Sequence, residues 1–424
     1  MADRDQNVRI KRSAEDRPGL ILFMLWLLVF TASSQIMIVA PILTNIGEGL
    51  GVENASLGHL MTVYALAVGI VALVAGPISD RFGRRRILLA GSGLMTVALL
   101  LHLVADSFAL MLSVRALAGA AGGILSGAAV SYIGDYFPVE RRGWASGWVM
   151  SGLAAGQIAG IPLGTMLATW FDFQAPFLAF AIVGAIAFVM MLRWLPQPGV
   201  NRSRNLSVGS ALRVYRALLA RREVRAAAAA FVAMFAGIAL FVTFFPTWLK
   251  ESLGFDDGMV ALLYVVGGAA NVIVGPQAGK LSDRIGRTGL IIGASIGVAV
   301  IMPPVTLVPA EHSWLIYPLF FITMALVAAR MSPMQALMTQ MTSDEQRGAL
   351  MSLITSIGQV GFAVGSALAA VTIDHFGFLG NAIFAMTSVL VMAWIVWQYL
   401  RDIEGSQDDR MIDEEIVPTQ KSLA

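Results

Sequence analysis

The sequence predicts an all-α integral membrane protein with twelve membrane-spanning helices arranged as two related halves. Of its 424 residues, 57% are hydrophobic and 13% are charged. Soluble domains carry about 25% charged residues, so much of this chain must face lipid. A second observation is a motif that occurs twice, at Gly76–Arg86 and Gly279–Arg287, with 203 residues separating Asp80 from Asp283. Each copy follows an apolar run, and a membrane chain built from two copies of one unit is typical of transporters.

Twelve apolar runs are long enough to cross the hydrocarbon core of a bilayer, which takes about 20 residues per helix. They begin near Gly19, Ser56, Ile87, Phe108, Trp144, Pro176, Ala226, Met259, Leu290, Trp314, Gly348 and Gly380. Most connections are short, and the longest is polar and rich in arginine. The predicted organisation is an N-terminal tail over 1–18, a six-helix half over 19–195, a linker over 196–225, a second half over 226–400 and a C-terminal tail over 401–424.

The basic residues predict the orientation in the membrane. Nearly all of the 29 Lys and Arg fall in the two tails and in the loops on one side, whereas Lys250 is the only one assigned to the other side. Cytoplasmic loops carry the excess of Lys and Arg, so both termini are expected in the cytoplasm. The expected location is a bacterial-type inner membrane.

Several motifs resemble those of the major facilitator superfamily. Residues 76–85 match its signature G-x-x-x-D-R-x-G-R-R, and the loop after the eighth run carries a degenerate second copy. Arg115-x-x-x-Gly119 resembles the motif of its fourth helix, and the glycines from Gly152 to Gly164 resemble the fifth-helix motif of its drug and metabolite:proton antiporters. This antiporter motif usually has proline where Gln157 stands. The resemblance implies the major facilitator fold, in which each six-helix half consists of inverted three-helix repeats.

The same resemblance implies a conformational latch at the cytoplasmic face. In the family, the aspartate of each loop meets the start of a helix of the other half, where its charge suits the positive helix end. The alternative is that these charges only set the topology. The latch residues are expected to be Gly76, Asp80, Arg81, Gly83, Arg84, Asp135, Gly279, Asp283, Arg284, Gly286 and Arg287.

Two arginines fall inside predicted helices. Arg115 matches the family motif and is expected to organise the contact between the first and fourth helices or to assist proton movement. Arg330 has no such match and lies 17 residues from Ser313 and 14 from Asp344, which is about 25 and 21 Å at 1.5 Å per residue. An arginine at that depth is expected to face a cavity or a partner. It is predicted to contact substrate or a coupling ion, with a structural hydrogen bond to helix carbonyls as the alternative.

The remaining polar candidates are uncharged. No Asp or Glu lies well inside any predicted helix, which argues against a cationic substrate neutralised by a membrane acid. Arginines without an acid favour an anionic or zwitterionic solute. The further candidates for substrate binding or coupling are Gln35, Tyr64, Asn271, Gln157 and Gln359. An amide in a helix bundle often serves instead to hold helices together.

These observations predict a secondary active transporter that moves a small organic solute by alternating access. The first hypothesis is proton-coupled efflux of drugs or metabolites. The second is an exchanger or symporter for an organic anion or zwitterion, held by Arg330 and Arg115, and the third is a membrane sensor that transports nothing. No phosphate-cradling loop or ligand cluster appears, so we expect no enzymatic activity, no metal and no cofactor other than an ion gradient, most simply H⁺. The expected partners are the solute and the bilayer, without nucleic acid, and a monomer suffices.

Overall fold

The computed structural model describes residues 18–126, 128–198, 208–341 and 344–400, and these are helical apart from short turns. Most of the predicted N-terminal tail, the C-terminal tail and the middle of the predicted linker lie outside the described residues. The described residues of the first half form nine α-helices. They are α1 (Pro18–Met37), α2 (Leu43–Leu50), α3 (Asn54–Phe82), α4 (Arg84–Leu101), α5 (Phe108–Leu125), α6 (Ala128–Tyr136), α7 (Val139–Ala155), α8 (Ile161–Trp170) and α9 (Ala175–Trp194).

A linker helix, α10 (Val208–Ala220), precedes the second half. The second half consists of α11 (Arg222–Val242), α12 (Phe245–Leu253), α13 (Asp257–Ile285), α14 (Arg287–Val305), α15 (Ile316–Gln340) and α16 (Asp344–Tyr399). Helix α16 is 56 residues long and is broken at Gly377, where φ is +63° and ψ is −169°. Eleven described helices are long and apolar enough to cross a membrane. Because the last of these contains two spans separated at Gly377, the prediction of twelve membrane-spanning helices is confirmed.

The two halves repeat the same backbone pattern. Helices α3 and α13 are both 29 residues long, and each begins 203 residues from its counterpart. Each follows a short helix that ends at a left-handed glycine, Gly51 with φ +64° and Gly254 with φ +68°. Each ends at another glycine, Gly83 with φ +95° and Gly286 with φ +92°. We call the end with Gly83 and Gly286 the turn end, and the end with Gly51 and Gly254 the lysine end, after Lys250.

Glycine allows helices to approach closely within each half. A Cβ at Gly156 would lie 2.8 Å from the Cβ of Ser33, and one at Gly160 would lie 2.2 Å from the hydroxyl of Ser34. Both serines belong to α1. The chain forms a π-helical turn over Gly156–Gly160 between α7 and α8. The glycine-rich motif of the sequence therefore forms the contact between α1 and the α7–α8 segment.

The halves contact each other along two seams. Helix α3 packs against the first part of α16, and α13 packs against α8 and the π-helical turn. In the first seam, the hydroxyl of Ser366 donates to the carbonyl of Gly58 at 3.0 Å. Near the lysine end, aromatic rings of the second half pack together, including the stacked pair Phe241 and Phe245, whose centroids are 4.9 Å apart. The apolar cluster around these rings includes residues of both halves.

Candidate functional site

A buried polar cluster joins three helices of the first half. It consists of Gln35 near the end of α1, Tyr64 in α3 and Arg115 in α5. Arg115 Nη1 donates to Gln35 Oε1 at 3.1 Å, and Gln35 Nε2 donates to the Tyr64 hydroxyl oxygen at 3.0 Å. The guanidinium carbon of Arg115 lies 4.4 Å from the centre of the Tyr64 ring, a cation–π distance. The structure therefore brings together three residues that the sequence singled out separately.

Two glycines of α5 make room for this cluster. A Cβ at Gly119 would lie 2.4 Å from the Tyr64 carbonyl oxygen, and a Cβ at Gly122 would lie 2.7 Å from the Tyr64 hydroxyl oxygen. No side chain fits at such distances, so α3 can approach α5 only at glycine. The Arg115-x-x-x-Gly119 motif thus supplies both a cation and the space for the ring that covers it.

The cluster retains donors for another group. Arg115 is 1% exposed, and its Nε and Nη2 have no hydrogen-bond partner. Buried polar groups are usually paired. The Arg115 guanidinium can therefore donate to one more hydrogen-bond acceptor while it keeps its bond to Gln35.

The second buried arginine has a different environment. Arg330 lies in α15 and is 0% exposed. Its Nε, Nη1 and Nη2 all lack a hydrogen-bond partner. An arginine at the centre of a membrane helix costs about 2.5–3.5 kcal/mol on insertion scales. The charge of Arg330, which has no hydrogen-bond partner, therefore lowers the stability of the second half.

The other predicted polar candidates are dispersed. Asn271 lies half-buried on α13, and Gln359 lies half-buried on α16. The Cβ of Gln359 is 3.4 Å from the position of a Cβ at Gly69 in α3, so Gln359 lies at the seam between the halves. The backbone of Gln157 belongs to the π-helical turn, but its side chain is outside the described part.

At the turn end, an ion pair links α4 to α6. Arg84 Nε donates to Asp135 Oδ2 at 2.6 Å, and Arg84 Nη1 donates to the Ser79 hydroxyl at 3.0 Å. Arg84 and Asp135 both belong to the set of predicted latch residues. Gly279, Arg284 and Arg287 lie at the corresponding turn of the second half, where Arg284 is exposed and Arg287 is half-buried. The side chains of Asp80, Arg81 and Asp283 are not described, nor is the surface of Gly76.

At the lysine end, a polar network joins the two halves. Lys250 of α12 pairs with Asp257 of α13, with Nζ 2.5 Å from Oδ1. Lys250 Nζ also donates to Thr44 Oγ1 at 3.1 Å and Asn45 Oδ1 at 3.3 Å, both in α2 of the first half. The Thr169 hydroxyl of α8 donates to Asp257 Oδ2 at 2.6 Å. Both members of the ion pair therefore bind the opposite half.

The sequence model that defines the Major Facilitator Superfamily matches residues 25–328 and 290–421 of this chain. The chain belongs to the major facilitator superfamily. Its relatives in this family are transporters, so the chain is a membrane transporter and not an enzyme. The prediction made from the twin loop motif is confirmed.

Relatives within the superfamily include proteins named multidrug resistance protein MdtG. The protein of Escherichia fergusonii is 27% identical over 396 residues, covering 90% of this chain and 94% of its own length. That of Proteus mirabilis is 27% identical over 393 residues, covering 89% and 95%. The uncharacterized MFS-type transporter YceJ of Bacillus subtilis is 23% identical over 372 residues, covering 87% and 93%.

The fold also resembles that of a superfamily member with a solved structure. The crystal structure of a D-xylose-proton symporter superposes with a TM-score of 0.76 at 15% sequence identity. The match covers 91% of this chain and 99% of the symporter. At this identity the likeness shows the shared major facilitator fold.

Sequence reasoning missed two features of this site. It assigned Lys250 only by its side of the membrane, because the contacts that Lys250 makes with the other half come from Thr44 and Asn45 of α2, which are 206 and 205 residues away in sequence. His102 is not among the predicted site residues, yet it is 0% exposed and stacks on Phe177 with centroids 4.0 Å apart. His102 Nδ1 lies 2.8 Å from the Ala98 carbonyl oxygen, and Nε2 has no partner.

Proposed function

We propose that this transporter exports small organic solutes in exchange for protons. The observation that carries the proposal is the Gln35–Tyr64–Arg115 cluster, which places a partly satisfied cation at membrane depth in the first half. The names of the MdtG relatives support export of drug-like solutes. The proposed setting is a bacterial inner membrane, with both termini cytoplasmic and one chain as the working unit.

The seams between the halves suit a rocking motion. Contacts at the lysine end hold α2 and α8 against α12 and α13, so the two halves are in contact at that end in the described conformation. Opening it requires these polar contacts to break while the turn end closes. The Arg84–Asp135 pair and the predicted latch residues of the two loops would stabilise the closed turn end.

The cluster offers a physical route for coupling. Arg115 Nη1 donates to Gln35 Oε1, and the unpaired Nε and Nη2 can bind a new acceptor that draws the guanidinium away from its present position beside Gln35. A solute or a change of protonation beside Arg115 would therefore alter the attachment of α1 to α5. Among the described residues of the membrane spans, carboxylates lie only at helix ends, so the proposed coupling site is this cluster and not a membrane carboxylate.

Proton exchange can be tested in liposomes that contain the purified protein. The vesicles would have an acidic interior with trapped pyranine and a membrane potential clamped by K⁺ and valinomycin. A lipophilic cation such as ethidium and a neutral drug such as chloramphenicol would be added outside, with solute uptake recorded in parallel. We expect solute uptake with a rise of internal pH, and neither in empty liposomes.

The other results would each reject part of the proposal. Uptake without a pH change would contradict proton exchange but leave transport intact. Binding of a solute without uptake would favour the sensor hypothesis.

A further inference from the structure

The two buried arginines differ in the partners that the protein gives them. Arg115 donates to Gln35 and lies over the Tyr64 ring. Arg330 has no hydrogen-bond partner at any of its three guanidinium nitrogens. Both side chains are almost completely buried, so the difference is one of partners and not of burial.

Arg330 lies on the buried face of α15. Thr323, Arg330 and Leu337 recur every seven residues, which places them on one side of a helix, and each is 0–1% exposed. Arg330 is 14 residues from the first residue of α15 and 10 from its last, or about 21 and 15 Å along the axis. The guanidinium therefore lies inside the second half, far from either membrane surface.

Structural arginines elsewhere in this protein bind backbone carbonyls. Arg85 donates to the carbonyl oxygens of Leu195 at 2.6 Å and Leu192 at 2.7 Å. Arg221 donates to the carbonyl oxygen of Met341 at 2.8 Å. Arg330 makes no such bond, so its environment differs from that of the arginines that hold helix ends.

We propose that Arg330 binds the anionic head group of a transported organic solute. The proposal rests on the transport function given above and names a substrate class for it. A guanidinium presents a planar fork of donors that matches a carboxylate or phosphate in two parallel hydrogen bonds. The three unpaired guanidinium nitrogens of Arg330, which carry five N–H donors, satisfy that requirement. Met334, one turn along α15, is buried and supplies a flexible apolar contact for the body of such a solute.

Unfolding of the detergent-purified protein tests this assignment without requiring transport. The variants are Arg330→Met, Arg330→Lys and, as the matched control, Arg115→Met. The probes are benzoate, benzamide and benzylammonium, which share a ring and differ in head-group charge. An uncompensated buried charge is destabilising, so replacing Arg330 by an apolar side chain of similar length should stabilise the protein. Removing Arg115 instead leaves the Gln35 amide oxygen without its donor.

We expect Arg330→Met to unfold at a temperature at least about 2 °C above wild type without ligand, and Arg115→Met to unfold below wild type. Benzoate should raise the Tm of wild type more than benzamide or benzylammonium does. Arg330→Met should lose this preference, and Arg330→Lys should keep part of it. A lower Tm or failed folding of Arg330→Met would overturn the proposal, because it would show that Arg330 has a structural partner.

An equal response of wild type to the three probes would also overturn the proposal. Transport of neutral or cationic solutes by Arg330→Met at the wild-type rate, with no benzoate preference in wild type, would reject the anion site while leaving proton-coupled export in place. If wild type transported no solute but benzoate still raised its Tm more than the other probes did, the anion site would stand and proton-coupled export would be rejected.

Discussion

Loss of the Lys250 side-chain charge should open the lysine end of the transporter. Lys250→Met removes the hydrogen bonds to Thr44 and Asn45, which cross between the halves, and leaves Asp257 without its cation. The side chains of Lys250 and Asp257 are 18% and 20% exposed, so solvent screens part of the interaction. Hydrogen bonds to charged groups contribute about 1.5–3 kcal/mol when well buried, and exposed ion pairs about 0.2–1 kcal/mol.

For this partly exposed network, we estimate that Lys250→Met destabilises the conformation with a closed lysine end by about 1–2 kcal/mol. The ratio of closed to open protein would then fall by a factor of about 5–30. The chain has no cysteine, so one introduced thiol gives an unambiguous signal. Ala370 is 3% exposed and lies 3.0 Å from the position of a Cβ at Gly58 in the other half. The labelling rate of Ala370→Cys by a polar thiol reagent would therefore report opening.

We expect Lys250→Met to raise that labelling rate about 5–30-fold. The control is Arg193→Met, which removes an exposed cation on α9, remote from the network. Asp257→Ala should also raise the rate because it breaks the bond from Thr169. The double variant should change it by less than the product of the two single effects, since the two side chains form one network. Equal labelling of Lys250→Met and Arg193→Met would refute the reasoning.

Two further predictions concern the helix contacts. Gln35→Leu removes the bridge between Arg115 and Tyr64. It should lower solute transport at least about tenfold, which corresponds to one lost hydrogen bond to a charged group. Tyr64→Phe keeps the ring under the guanidinium and should lower transport less. Equal transport losses in the liposome assay would show that the hydroxyl, and not the amide bridge to Arg115, is what matters. Gly365→Ala places a Cβ 2.3 Å from the carbonyl oxygen of Ala236 and should destabilise the protein by about 1–3 kcal/mol. Gly293→Ala meets no atom within 4 Å and should unfold at or above the wild-type temperature, so a Tm loss of equal size in both would contradict the steric explanation.

The sequence predicted the fold well because the fold depends on periodic signals. Hydropathy located the twelve spans, and the repeated motif aligned the halves with the offset of 203 that separates α3 from α13. The glycine motifs likewise identified close helix contacts, since only glycine permits the approach of Tyr64 to Gly119. These signals lie within one helix or in two copies of one unit, so they can be recognised without knowing the tertiary structure.

The partners of polar residues could not be predicted in the same way. Gln35, Tyr64 and Arg115 were each recognised as polar residues at depth, but their sequence separations of 29 and 80 residues gave no sign that they meet. Lys250 and Asn45 are 205 residues apart, and neither position is unusual alone. Each contact depends on how the helices are rotated and packed, which side-chain spacing does not determine.

The two ends of this arrangement are connected through α1. Gln35 lies two residues before the end of α1, and the turn over residues 38–42 leads directly into α2, which carries Thr44 and Asn45. That turn is firmly packed, because Ile38, Val39 and Ile42 are 0% exposed. A movement that separates α2 from Lys250 must therefore act on the end of α1 that holds Gln35. In the proposed mechanism, a ligand that shifts Arg115 relative to Gln35 would act on the same segment, because about ten residues of chain, with the buried turn between them, connect Gln35 to the α2 contacts of the lysine end.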